Sequence, residues 1–164
     1  MKDLEPRDVL YVLAARHSLE SGHPLAAQRE LEKIGERFQS HPDVLEIQWA
    51  IQCQGRNWEN CLEIADAIVS SAPERPTGWI KRSFVLHQLN RTQEALDSLF
   101  PAVEKFPEIP IIPYNLACYA AQLQSLWEAE RWLKQAVDIG GNPYKNLALR
   151  DRELEALAAK IPNL

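Results

Sequence analysis

The feature that most constrains this chain is a small residue that recurs every 34 positions: Ala27, Cys61, Ala95 and Ala129. Four residues beyond each come Leu31, Ala65, Leu99 and Leu133, and seven beyond come Ile34, Ile68, Ala102 and Ala136. Positions i, i+4 and i+7 share one face of an α-helix, so one helix face is written four times. Upstream of each lies a second apolar stripe: Tyr11, Ala14, Ala15 and Ser18; Val44, Ile47 and Ile51; Trp79, Ser83 and Leu86; Leu116, Ala117 and Ala120. Each unit therefore reads helix, turn, helix. A period of this length means stacked helix pairs, because one pair cannot bury its own apolar face and stacking on the next pair does so.

The punctuation keeps the same period. Pro42, Pro76 and Pro110 mark unit boundaries 34 residues apart, where proline suits a first helical turn because its missing N–H needs no partner there. The turns within units carry breakers, as in Glu20-Ser21-Gly22-His23-Pro24 and Gln54-Gly55-Arg56-Asn57, whose glycines suit the left-handed conformation that ends a helix.

These residues resemble the tetratricopeptide repeat, whose 34-residue pattern runs W-x2-L-G-x2-Y, then A-x3-F, then A and P. The third unit fits best, through Trp79, Leu86, Ala95, Leu99, Ala102 and Pro107, and the fourth follows with Leu116, Ala117, Ala120, Ala129, Leu133 and Ala136. The resemblance implies an all-α right-handed superhelix, an α-solenoid of antiparallel helix pairs. It implies one domain with repeats at about 8–41, 42–75, 76–109 and 110–141, closed by a C-terminal cap at 142–164. The cap follows from stacking, since a solenoid end needs a cover with a polar outer face; here Leu147, Leu149, Leu154 and Leu157 are set among charges. Three departures stand out. The first helix of the second unit is shifted by one residue to keep its apolar stripe continuous. In the first unit the second helix runs on through Ile34-Gly35-Glu36-Arg37-Phe38, about three residues beyond the pattern. Pro101 falls inside the second helix of the third unit and should kink it.

The resemblance also implies where a partner would bind, in a concave groove lined by the first helix of each pair. Carried over position by position, that groove comprises Val12, Arg16, Leu45, Trp49, Gln52, Ile80, Lys81, Phe84, His87, Tyr114, Asn115 and Cys118. The set is mostly apolar with aromatic members, which favours a partner protein or peptide with an apolar or helical face. The chain's own tail helix, or an N-terminal segment of the chain, is the competing occupant. Some relatives clamp a terminal carboxylate with basic and amide residues; the matching places here hold Val12, Arg16, Glu46, Thr77 and Lys81, and the clamp is missing. Trp127 and Trp132 lie outside the core stripe, either as a convex patch or packed beneath the cap.

Other function classes lose ground. A formal net charge of -5 and a pI near 5.4 give no basic field for nucleic acid. There is no apolar run of spanning length, and the opening Met-Lys-Asp-Leu-Glu-Pro has no apolar core, so a cytoplasmic location is expected. Cys53, Cys61 and Cys118 form no C-x-x-C pair and are expected to be reduced, mostly buried thiols. No nucleophile elbow, phosphate loop or zinc-protease motif occurs; His17, His23, His41 and His87 fall in different units, and His23 and His41, at turn or boundary positions, are expected to be solvated. Neither catalysis nor a metal or cofactor is expected. The alternative to a peptide holder comes from compact bacterial tetratricopeptide proteins described as kinesin light-chain-like, which associate with cytoskeletal filaments, although kinesin light-chain repeats are longer than these.

Overall fold

The structure, a computed structural model, describes residues 3–163. Met1, Lys2 and Leu164, the outermost residues of the expected domain and cap, lie outside the described residues. The described residues contain ten α-helices and no strand. They fall into two compact units, divided after Gly78.

The first unit holds α1 (Pro6–Glu20), α2 (Pro24–Leu31), α3 (Pro42–Gln54) and α4 (Trp58–Ser71). It also holds residues Pro76 to Gly78 of α5 (Pro76–Gln88). α1 packs on α2 and on α3, and α3 packs on α4. Val12, Ala15, Ala27, Leu31, Ile34, Phe38, Val44 and Ile47 form one buried cluster, with Leu4, Tyr11, Leu19 and Ile51 packed against it. The expected stripe of α1 is thus turned by about one residue: Asp8, Val12 and Ala15 face inward, while Ala14 is exposed. Asp8 gives the reason, because its carboxylate accepts the Gly35 N–H at 3.1 Å and draws that side of α1 inward.

The same contact corrects the expected length of the second helix. α2 stops at Leu31, and a 3₁₀ turn at Glu36–Phe38 follows instead of continued α-helix. Gly35 is extended (φ -57°, ψ 140°), and the Gln39 amide donates to the carbonyls of Leu31 and Ile34, both at 3.0 Å. Side chains thus satisfy backbone groups that a longer helix would have satisfied itself.

The second unit holds the rest of α5, α6 (Thr92–Leu99), α7 (Ala102–Lys105), α8 (Ile111–Gln122), α9 (Leu126–Gly140) and α10 (Asn142–Ala148). Two 3₁₀ turns follow, Arg152–Leu157 and Ile161–Asn163. α8 packs on α9, α6 and α7, and the turn Arg152–Leu157 lies on both α8 and α9. At Pro101 the expected kink is a full interruption, since one helix ends at Leu99 and the next begins at Ala102.

All twelve residues of the second-helix stripe are buried, and Ala27, Cys61, Ala95 and Ala129 are each 0% exposed. A backbone motif places them. Gly22, Arg56, Asn90 and Gln124, again 34 residues apart, have φ of 79°, 53°, 59° and 64°. The next residue donates its N–H five residues back, from His23 to Ser18, Asn57 to Gln52, Arg91 to Leu86 and Ser125 to Ala120, at 2.9 to 3.1 Å. That residue's carbonyl then accepts the N–H of Ala27, Cys61, Ala95 or Ala129. One residue closes a Schellman turn and caps the next helix. In the second turn Arg56, not Gly55 (φ -78°), takes the left-handed conformation.

A left-handed residue with a side chain costs about 1–2 kcal/mol, and glycine does not. Gln124→Gly should therefore raise the urea-unfolding free energy by about 1 kcal/mol. Gly22→Ala should lower it by about as much, with no steric contribution, because a Cβ at Gly22 meets nothing within 4 Å. Opposite signs would show that these turns do not close as described.

Candidate functional site

In the first unit the expected groove residues separate by burial. Val12 (5% exposed) and Leu45 (7%) belong to the interior, so neither presents a binding surface. For Val12 the cause is the rotation of α1 set by Asp8. Trp49 and Gln52 remain half-buried on α3, with Gln52 accepting the Asn57 side-chain N–H at 2.9 Å, and Arg16 is exposed on α1. Two of the places that hold a carboxylate clamp in relatives engage each other, the Thr77 hydroxyl donating to Glu46 at 2.7 Å.

In the second unit Ile80, Lys81, Phe84 and Asn115 are half-buried, whereas Tyr114 and Cys118 are buried. The structure brings three expected residues together by means of two that the repeat pattern does not contain. Asp151 accepts the Tyr114 hydroxyl at 2.7 Å and the Cys118 thiol at 3.8 Å with one carboxylate oxygen. Its other oxygen accepts the Glu153 N–H at 3.0 Å. Glu153 lies 2.9 Å from His87 Nε2, and His87 Nδ1 lies 3.0 Å from the Thr92 hydroxyl. An Nε2–H donates to the Glu153 carboxylate, and Nδ1 meets the Thr92 hydroxyl. The His87 ring also packs 5.0 Å from that of Tyr119, whose hydroxyl donates to Ser83 at 3.3 Å.

His87 is thus enclosed and bonded on both nitrogens. His41 caps α3 by accepting the Asp43 N–H at 3.3 Å and is not the solvated histidine expected. The tail carboxylates account for His87, Tyr114 and Cys118, so in this unit the chain's own tail occupies expected groove positions. Asp151 had one local signal, an acidic residue ahead of a helical turn, which marks a cap. Its long-range partners left no signal in the spacing.

Trp127 is 66% exposed on α9 beneath the Arg131 guanidinium at 4.8 Å. Trp132 stacks edge-on with Phe100 at 5.9 Å. The cap accounts for Leu154 and Leu157, which are buried, but not for Leu147 and Leu149, which are exposed. Cys61 and Cys118 are buried and Cys53 is half-buried.

No protein-family model matches the sequence, and no curated protein matches it. Solved structures do. MamA residues 41 to the end, from Desulfovibrio magneticus RS-1, superposes with a TM-score of 0.75 at 17% identity over 98% of this chain and 94% of that one. TTC0263 from Thermus thermophilus, described as a thermophilic TPR protein, gives 0.68 at 17% identity over 97% and 83%. This chain has the tetratricopeptide-repeat fold. YrrB, described as a TPR protein with an unusual peptide-binding site, has the same fold with a TM-score of 0.68 at 13% identity, covering 93% of this chain and 84% of that one.

Within this tetratricopeptide-repeat fold, the cluster around Asp151 is chemically quiet. Burial, and then the nearby carboxylates of Asp151 and Glu153, push the Cys118 thiol far above its ordinary 9.0. Burial and the hydrogen bond to Asp151 likewise raise the Tyr114 phenol above its ordinary 10.0. A protonated, buried thiol is a poor nucleophile. The folded chain keeps a Cys118 proton that the unfolded chain releases near pH 9. Stability is therefore full below that pH and falls as pH rises above it, by at most about 1.4 kcal/mol per pH unit. Between pH 8 and pH 10 the wild type should lose more unfolding free energy than Cys118→Ala, measured by urea denaturation. Parallel curves would place the thiol in solvent.

Proposed function

We propose that the chain is a non-catalytic holder of another protein, presenting the first-helix faces of its pairs to a partner segment with an apolar or helical face. Trp49 carries this reading. It stays half-buried on α3 while Val44 and Ile47 of the same helix are fully inside, so the helix keeps an aromatic side chain partly accessible without needing it in the core. Tryptophan at such a position is the residue type that concentrates binding energy at interfaces. In the second unit, half-buried Ile80, Lys81 and Phe84 offer the same kind of surface on α5.

The mutual engagement of Thr77 and Glu46 argues for an apolar contact over the capture of a charged terminus. The likeness to YrrB, with its peptide-binding site, supports a peptide as the form of the partner. Trp127 offers a further apolar contact on α9, whereas Trp132 packs against Phe100 and serves the fold.

The test is to cross-link the chain to its partner in its native cells, identify the contacted segment, and titrate that segment as a peptide by calorimetry. Trp49→Ala and Phe84→Ala should each weaken binding by about 2 kcal/mol, roughly 30-fold, while the thermal midpoint stays within a few degrees. Equal losses of binding and stability would make these rings core residues. Co-pelleting with filaments, without binding to any isolated peptide, would favour the filament-associated alternative and contradict this one.

A further inference from the structure

In the second unit the Tyr114, Cys118 and His87 side chains are donors converging on carboxylates, and the chain's own Asp151 and Glu153 supply them. The segment carrying these carboxylates has the marks of an element that can leave. The six residues Arg152–Leu157 form a 3₁₀ helix, whose hydrogen bonds are poorer than those of an α-helix and whose runs rarely exceed about four residues. Leu149 and Arg150, which lead into it, are exposed. Clefts of about 290 and 490 Å³ adjoin its backbone, and Arg150, Asp151 and Arg152 line both. Leu154, Leu157 and Ile161 hold it down, each at most 1% exposed. Release of the tail therefore uncovers donors and aliphatic sockets together, and a replacement must satisfy both.

We propose that residues 151–161 are a resident ligand in cis, and that the site exchanges them for a partner segment of the same chemistry. That segment carries one carboxylate, a second two residues later, and aliphatic side chains three and six residues after the first, as Asp151, Glu153, Leu154 and Leu157 do. The exchange presupposes that the chain holds a peptide, and it adds an acidic, aliphatic partner on the second unit to the apolar contacts above. A tethered ligand is present at millimolar effective concentration. The apparent affinity for a competing peptide is therefore reduced by the fraction of chains whose tail is released.

The probe is a fluorescein-labelled synthetic peptide of residues 149–163, titrated by anisotropy onto the full-length chain and its variants. Asp151→Asn combined with Glu153→Gln weakens the resident contacts and leaves the sockets intact. This variant should bind the peptide at least about tenfold more tightly than the wild type does, one factor of ten for each 1.4 kcal/mol of weakened latch. Tyr114→Phe in that background should weaken binding again. Hydrogen exchange on the wild type gives an independent reading that needs no variant to fold: amides of 152–160 should exchange at least about 100-fold faster than those of α8. Exchange as slow as that of α8, or no peptide binding by the weakened variant, would make the tail a fixed cap and overturn the proposal. A native partner still lost on Trp49→Ala or Phe84→Ala, with no binding of the tail peptide, would overturn the exchange alone and leave the peptide-holding role standing.

Discussion

The rest of this structure depends on how closely two helices of a pair can cross, and the size of one side chain sets that limit. Ala27, Cys61, Ala95 and Ala129, each on the second helix of a pair, have no exposed surface. In packed interiors an added methylene forces neighbouring side chains or backbone to shift, so the position tolerates little else. The Schellman turn five residues earlier fixes which residue arrives at the crossing, because its last residue also begins the next helix. A small residue and a closed turn, repeated at one interval, give each pair the same internal geometry.

Much of this was legible from the chain alone because the core stripe is a pattern of side-chain size, and size is written directly in the sequence. The stripe through Leu31, Ala65, Leu99 and Leu133 was readable for that reason, whereas at Pro101 a kink was expected and the helix is interrupted. The turns were only half legible. Gly22 announces a left-handed residue, whereas Arg56 and Gln124 take the same conformation without any compositional sign, since backbone hydrogen bonds hold it. The end of α2 was missed because its orphan carbonyls are met by Gln39, and the rotation of α1 was missed because it follows from one buried carboxylate. Each such bond occurs at one place in the chain and leaves no period.

The candidate surfaces divide in the same way. Half-buried Trp49, Phe84, Ile80 and Lys81 were predictable from repeat position, which depends only on register. Val12 and Leu45 moved inside once α1 and α3 were packed. For His87, Tyr114 and Cys118 the tail was one expected occupant, but its carboxylate contacts were not readable, because Asp151 and Glu153 belong to a segment outside the repeat. The tail answers polar groups with carboxylates and covers apolar surface with Leu154, Leu157 and Ile161. It thereby serves as a cover for the last helix pair and as a pattern for what that pair recognises.

The most direct test of the account is the cost of enlarging the crossing residue. Unfolding free energies from urea titration of Ala95→Leu and Ala129→Leu should each fall by roughly 1–3 kcal/mol through overpacking, while Ala67→Leu, on the exposed face of α4, should change by less than about 0.5 kcal/mol. If Leu is tolerated at Ala95 and Ala129 as well as at Ala67, these alanines do not mark the helix crossings, and the 34-residue phasing on which every surface assignment rests is wrong.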